Sequence, residues 1–156
     1  MRTVRIVTTC AHDTEAVAAR LAPRIRAGDV VALRGDMGAG KTTFVRGLAR
    51  ALGYAGRVVS PTYTLAARYP GSLPIDHLDA YFGEKERAFL REGGAELLGG
   101  EGVALVEWPD RIEDLLPEDR LEIELAFGTR DETREIRASG TGTRGADLAA
   151  ALEESA

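Results

Sequence analysis

The chain has 156 residues, a formal net charge of −5 and an isoelectric point near 5.1. Nucleic acid binding needs clustered cations for the phosphates, so this charge argues against free-standing affinity for RNA, and any link to RNA is expected to run through a partner. A single cysteine, Cys10, excludes an intramolecular disulfide and fits a reducing cytoplasm. The length suits one domain over residues 1–156, and we expect neither a signal peptide nor a membrane span.

The first elements surround a glycine-rich stretch. Alternating residues predict a strand over 2–8, and a helix is expected from Asp13 or Thr14, either of which can cap it. Pro23 interrupts that helix, and a Gly-Asp pair at 28–29 ends it before a short buried strand at 30–33. The next helix is predicted over 43–52.

The stretch over 35–42, Gly-Asp-Met-Gly-Ala-Gly-Lys-Thr, fits the phosphate-binding loop pattern. Its glycines let the backbone amides point inward as an anion cradle, and the following helix adds its positive end to the same anion. Lys41 is predicted to reach the outer phosphates, and Thr42 to offer its hydroxyl to Mg²⁺. The predicted nucleotide-binding residues are Met37, Gly38, Ala39, Gly40, Lys41, Thr42 and Thr43.

The second half of the chain alternates strands and helices. A loop or strand edge is expected at 60–65, followed by a strand over 72–79, a helix over 84–98 and an apolar strand over 102–106. Strands over 121–127 and 133–139 are predicted to form an antiparallel hairpin. From about residue 140 onward we expect a flexible tail with a short helix at most. The pattern as a whole predicts an α/β, P-loop NTPase-like fold with a mostly parallel sheet, flanking helices and a C-terminal antiparallel hairpin.

Polar residues at strand ends are the candidates for chemistry. Ligands bind outside the carboxyl ends of strands in open α/β sheets, and Glu107 ends the apolar strand much as a Walker B carboxylate does. Asp79 ends another strand, although Asp76 lies nearby and either could be a solvated turn residue. A switch hydroxyl that senses the γ-phosphate is expected at Thr62, with a turn-forming role as its alternative. His77 is expected to be a structural histidine, and no metal site is predicted on it.

With these residues assembled, the chain resembles the bacterial TsaE family, also called YjeE. The ordered motifs are GDMGAGKTTFVRGLARALG from residue 35, SPTYTL from 60, HLDAY from 77 and VEWPDR from 106, and the likeness covers about 14–111. The family pattern usually continues HxDxY with Arg, whereas this chain has Phe82.

The resemblance implies a small ATPase that binds ATP and Mg²⁺, hydrolyses ATP slowly alone and acts with the TsaB–TsaD pair. That pair transfers threonylcarbamoyl to the adenosine beside the anticodon of tRNA, so contact with tRNA would be indirect. By motif, the resemblance implies that Lys41 contacts phosphate and that Thr42 and Glu107 bind Mg²⁺. It also implies that Asp79 supports hydrolysis and that Thr62 belongs to the switch loop.

Two other functions fit the same loop. A small-molecule kinase would need an acceptor pocket and an arginine-bearing lid, for which Arg87 and Arg91 are the candidates, with a solvated helix face as their alternative role. A non-hydrolytic module that only changes shape with nucleotide would keep its partner function without Glu107.

Overall fold

A computed structural model of the protein describes residues 2–61, 65–93, 96, 98 and 100–153. The elements are β1 (Arg2–Thr8), α1 (Ala11–Ala19), β2 (Val30–Arg34), α2 (Lys41–Ala51), β3 (Ala66–Tyr69), β4 (Ile75–Asp79), α3 (Glu84–Arg91), β5 (Val103–Glu107), β6 (Arg120–Phe127), β7 (Arg134–Thr141) and α4 (Gly142–Glu153). Two short 3₁₀ turns, Pro109–Arg111 and Glu113–Leu115, connect β5 to β6.

All seven strands form one sheet in the order β1-β7-β6-β2-β5-β4-β3. Its centre is parallel, because β2 pairs in parallel with β5 and β6, and β4 pairs in parallel with β5. Both ends are antiparallel, where β3 pairs with β4 and β7 pairs with both β6 and β1. This arrangement confirms the predicted α/β, P-loop NTPase-like fold with its C-terminal hairpin.

The central strands are buried on both faces, as the apolar runs over 30–33 in β2 and 103–106 in β5 predict. One apolar cluster combines Val31 and Leu33 with α1, α2 and α4. The other face of the same strand, through Val30 and Ala32, packs with Leu90 of α3. A predicted helix over 43–52 corresponds to α2, which buries Phe44, Val45 and Leu48 and begins two residues earlier.

The first helix differs from its prediction at both ends. It begins at Ala11, and Asp13 lies in its first turn and accepts hydrogen bonds from the backbone and hydroxyl of Thr9. It ends at Ala19 and does not continue past Pro23. A proline ring clashes with the carbonyl four residues earlier, which here is that of Ala19, so Pro23 sets the end of the helix.

The expectation of a flexible tail from about residue 140 is wrong. Strand β7 extends to Thr141, and α4 covers Gly142–Glu153 with Leu148 and Leu152 buried against the sheet. The Asp119 carboxylate accepts hydrogen bonds from the backbone N–H groups of Arg144 and Gly145. Because this cap comes from a residue distant in sequence, the tail itself carries no signal for it.

Three further elements differ from the predictions. The predicted strand over 72–79 is β4, which begins only at Ile75, and its antiparallel partner β3 was not predicted. The predicted helix over 84–98 is α3, which ends at Arg91. Gly93 follows with a φ of +123°, a conformation that L side chains rarely adopt. Among the residues that the structure describes, no helix is long and apolar enough to cross a membrane.

Candidate functional site

Three strand ends meet at one edge of the sheet, as predicted. Leu33 of β2 lies opposite Glu107 of β5, and Glu107 lies opposite Asp79 of β4. Because the three strands are parallel, the loop after β2 and the two carboxylates come together at their carboxyl ends.

The glycine-rich loop is fixed by the strand beside it. A Cβ on Gly35 would lie 2.5 Å from the backbone oxygen of Leu125 in β6, so only glycine fits this close approach. Gly40 precedes α2 with a φ of +110°, and the helix begins directly at Lys41. The loop therefore delivers the N-terminus of α2 to the carboxyl edge of the sheet.

The ammonium of Lys41 is held inside the loop. Its Nζ atom donates to the Gly35 carbonyl at 2.5 Å and lies 3.7 Å from the ring centroid of Trp108, a cation–π contact. Burial lowers the pKa of the Lys41 ammonium, against the opposing effect of the nearby Glu107 and Asp79 carboxylates. The lysine is thus directed into the site by backbone and indole together.

Trp108 adopts a conformation that costs energy. Its φ and ψ of 56° and 47° are left-handed, which costs a non-glycine residue about 1–2 kcal/mol. The conformation places the indole over Lys41 and edge-on to Tyr81, at a centroid distance of 5.4 Å. Backbone strain of this kind concentrates at functional sites.

Thr42 and Glu107 are adjacent. The Thr42 hydroxyl donates to Oε2 of Glu107 at 3.5 Å, and Glu107 is only 3% exposed. Across the described ranges, no group of three His, Cys, Asp or Glu residues could hold a metal ion. A hydroxyl and one carboxylate instead match Mg²⁺, which keeps several waters and takes its remaining ligands from phosphates.

Asp79, rather than Asp76, faces the site. Its carboxylate accepts hydrogen bonds from the Ser60 hydroxyl at 2.6 Å and from the backbone N–H of Tyr81 at 2.9 Å. Asp76 instead forms a bidentate ion pair with Arg68, at 2.8 and 3.0 Å. The ambiguity between the two carboxylates is therefore resolved by their partners.

A cavity of about 620 Å³ lies over these groups. It is lined by Met37, Gly38, Gly40, Lys41, Thr42, Thr43, Ser60, Asp79, Tyr81, Phe82, Glu107 and Trp108. All but two of the predicted site residues are thus brought together. Ala39 is fully buried and does not line the cavity, and Thr62 lies outside the described residues.

Five residues at the site are not among the predicted ones: Ser60, Tyr81, Phe82 and Trp108, which line the cavity, and Arg134, which contacts the loop. For Ser60 the sequence predicted only a place in a loop, although Ser60 comes directly before the proline that shapes that loop. Arg134, at the start of β7, donates from Nε to the Ala39 carbonyl at 3.1 Å and from a terminal nitrogen to the Gly38 carbonyl at 3.3 Å. No signal in the sequence identifies Arg134, because it is separated from the loop by nearly a hundred residues.

The structure shows the contacts of Phe82 and of Arg87, two positions that the sequence analysis discussed. Phe82, at the usual family arginine position, is 41% exposed and meets Tyr81 edge-on at 5.3 Å, so this wall of the cavity is aromatic. Arg87 forms a bidentate ion pair with Asp114, with both contacts at 2.7 Å. That ion pair holds the guanidinium of Arg87 against the 3₁₀ turn that contains Asp114. It gives no support to a lid role for Arg87.

A phosphate-binding loop between a buried parallel strand and its helix, with a carboxylate ending the next strand, defines a P-loop NTPase-like protein. A model of the family described as threonylcarbamoyl adenosine biosynthesis protein TsaE matches residues 8–136. The chain belongs to the TsaE family.

Individual relatives agree with the family assignment. The chain is similar to a Bacillus subtilis tRNA threonylcarbamoyladenosine biosynthesis protein TsaE, with 42% identity over 145 residues that cover 92% of this chain and 90% of the relative. A TsaE protein of Treponema pallidum is 38% identical, with 85% of this chain and 98% of the relative covered. A crystal structure of Bacillus subtilis YdiB superimposes with a TM-score of 0.84 at 36% identity, over 97% of this chain and 95% of that one.

Proposed function

We propose that this protein binds ATP with Mg²⁺, hydrolyses it slowly alone, and serves threonylcarbamoyladenosine modification of tRNA together with a TsaB–TsaD pair. The single observation that carries the proposal is the position of the Thr42 hydroxyl 3.5 Å from the Glu107 carboxylate, beside the loop that contains Lys41. The family membership and the names of the relatives support the pathway.

The loop fits a triphosphate. Lys41 and the backbone amides at the start of α2 supply positive charge on one side of the cavity. In the proposed complex, phosphate oxygens would take the place of the Gly35 carbonyl as the partner of Lys41. Thr43, which also lines the cavity, would contact the phosphates from the first turn of the helix.

The acidic side of the cavity fits the metal and the attacking water. Thr42 and Glu107 would hold Mg²⁺, which when bound stabilises the negative charge on the phosphates during transfer. Asp79, fixed by Ser60 and by the Tyr81 amide, would orient the water. Trp108 would close the site beside Lys41.

A second cavity of about 190 Å³ lies on the other side of the loop. Gly38, Gly40 and Thr43 line both cavities, and the second is completed by Ala11, Thr14, Glu132 and Arg134. The nucleoside part of ATP would lie in this second cavity, because the cavity shares loop residues with the first one and is not lined by Asp79 or Glu107.

The net charge and the family membership both support the partner part of the proposal. With a net charge of −5, the chain would rely on the TsaB–TsaD pair to hold tRNA, in the cytoplasm where tRNA is modified. The pairing of Arg87 with Asp114 gives the kinase alternative no support.

The test is steady-state ATP hydrolysis by the purified protein, alone and with the TsaB–TsaD pair plus tRNA. We expect slow turnover that rises with the pair. Lys41→Ala should abolish it, and Lys85→Ala is the matched control, because Lys41 and Lys85 are the two lysines of the chain. Turnover that persists in Lys41→Ala would overturn the site, and ATP consumption that requires a small metabolite and phosphorylates it would favour the kinase.

A further inference from the structure

A line of hydrogen bonds runs behind Glu107, away from the cavity. Nε2 of His77 lies 2.5 Å from Oε2 of Glu107, and Nδ1 of His77 lies 2.9 Å from the hydroxyl of Tyr69. The Tyr69 hydroxyl is also 3.1 Å from the carbonyl oxygen of Val59. The line therefore joins Glu107 to the segment that carries Ser60.

Strand register explains how His77 reaches Glu107. His77 lies opposite Leu105, two residues before the facing pair Asp79 and Glu107, so its side chain is on the same face of the sheet as both carboxylates. It is fully buried and does not line the cavity. His77 thus lies beneath the cavity. It contacts the Glu107 carboxylate there but would not contact a bound ligand.

Hydrogen-bond accounting assigns the direction of the contact between His77 and Glu107. An ionised carboxylate only accepts, so Nε2 of His77 donates to Glu107, whereas either Nδ1 or the Tyr69 hydroxyl can be the donor of the contact on the other side of the ring. Burial raises the pKa of Tyr69 to about 12, which keeps its hydroxyl proton available. The hydroxyl has one proton, so it serves either His77 or the Val59 carbonyl at a given moment.

The distances show which contact fixes the carboxylate. Oε2 of Glu107 has a short contact with His77 at 2.5 Å and a long one with Thr42 at 3.5 Å. Within the described part of the chain, these are the hydrogen bonds that Glu107 makes through its side chain. The position of the Glu107 carboxylate is therefore set mainly by its contact with His77, and the contact with Thr42 is weak.

We propose that His77 is a positioning residue that holds the Glu107 carboxylate in the orientation that binds the divalent cation, with Tyr69 orienting the imidazole from behind. This inference rests on the proposed function, in which Glu107 is a metal ligand. Hydrogen-bond partners of metal-binding side chains commonly change metal affinity 10- to 100-fold when they are removed.

Two amide substitutions separate this role from packing. The amide nitrogen of His77→Gln reaches the place of Nε2 and keeps a donor for Glu107, whereas that of His77→Asn reaches only the place of Nδ1. Tyr69→Phe keeps the ring and removes the hydroxyl, so it tests the imidazole's orientation in a chain that retains its core. Mn²⁺ affinity of each ADP-bound protein would be measured by electron paramagnetic resonance, with ADP affinity in EDTA and thermal unfolding as controls.

We expect His77→Asn to weaken Mn²⁺ binding about 10- to 100-fold, with ADP affinity in EDTA unchanged. His77→Gln should stay close to wild type, and Tyr69→Phe should fall between them. Wild-type Mn²⁺ affinity in His77→Asn, or equal losses in both amide variants, would overturn the inference. If the wild-type protein with ADP bound no Mn²⁺, the proposed metal role of Glu107 would itself fail, and the inference with it.

Discussion

Among the described residues, Lys41 has two partners, the Gly35 carbonyl and the Trp108 ring, and both belong to the site. The Gly35 carbonyl accepts its hydrogen bond, and the Trp108 ring lies 3.7 Å away. Of the 20 basic residues only Lys41 and Lys85 are lysines, so the composition strongly favours arginine elsewhere. A flexible point charge that can move from a carbonyl to a phosphate suits this position better than a planar guanidinium does.

Arg134 supports the same loop from the opposite side. Its guanidinium donates to the carbonyls of Gly38 and Ala39 and stacks over Phe127 at 4.7 Å. Hydrogen bonds from a charged group contribute about 1.5–3 kcal/mol, and 1.4 kcal/mol is tenfold in affinity. We therefore expect Arg134→Ala to weaken nucleotide binding at least tenfold, as measured by calorimetric titration.

Arg130 provides the control for this prediction. It lies exposed in the β6–β7 turn that precedes Arg134, and its contacts there are through the backbone. Arg130→Ala removes the same charge and should leave the affinity for nucleotide near wild type. Equal affinities in both variants would show that the loop keeps its shape without the guanidinium of Arg134.

The sequence predicts site residues where the chemistry is local. Lys41 and Thr42 are specified by the loop pattern, and Glu107 and Asp79 by their places after buried strands. The supporting contacts could not be predicted, since they join distant segments: His77 to Glu107 spans 30 residues, and Arg134 to Gly38 spans 96. The roles of Thr62 and of the nucleotide and metal ligands stay predictions.

At the scale of elements, the prediction succeeded for strands whose residues either alternate or form an apolar run. Strands β1, β6 and β7 alternate cleanly, and β2 and β5 are short apolar runs, so all five were located. Strand β3 was missed because Ala66–Tyr69 has four residues and no alternation. Its partner β4 and the turn between them give it stability that its own sequence does not.

Helix α3 contains a buried acidic side chain, that of Glu86. Glu86 is 3% exposed, and neither of its carboxylate oxygens has a hydrogen-bond partner among the described residues. Leaving a buried polar group unsatisfied costs about 1–3 kcal/mol, and more for a charge. Replacement by an apolar side chain of similar size removes that cost.

We expect Glu86→Leu to raise the midpoint of thermal unfolding by about 2–12 °C, since about 1–3 kcal/mol is regained and 1 kcal/mol corresponds to roughly 2–4 °C in a domain of this size. Differential scanning calorimetry measures it. Glu84→Leu is the matched control, because Glu84 lies exposed in the first turn of the same helix and its replacement should change the midpoint little. An unchanged or lower midpoint in Glu86→Leu would mean that the carboxylate has compensation that its contacts do not reveal.

Across the whole molecule, the two edges of the parallel strands have different tasks. The carboxyl edge holds the loop, Asp79 and Glu107. The opposite edge begins at Asp29, whose buried carboxylate forms a bidentate ion pair with the Arg144 guanidinium, at 2.7 and 3.0 Å. Arg144 belongs to α4, so this ion pair ties the last helix to the start of the central strand.

Helix α4 therefore stabilises the fold without lining the proposed nucleotide site. Leu148 is 1% exposed in the core that α4 shares with β1, β6 and β7. Truncating a buried leucine to alanine costs about 2–5 kcal/mol. We expect Leu148→Ala to lower the free energy of unfolding in urea by that amount, while nucleotide affinity at low temperature stays near wild type. Val7→Ala, on the exposed side of β1 with 59% exposure, should change neither quantity appreciably. If Leu148→Ala weakened nucleotide binding in the fully folded protein, packing of the C-terminal helix would be coupled to the loop through β6 and β7, and the two edges would not be separable.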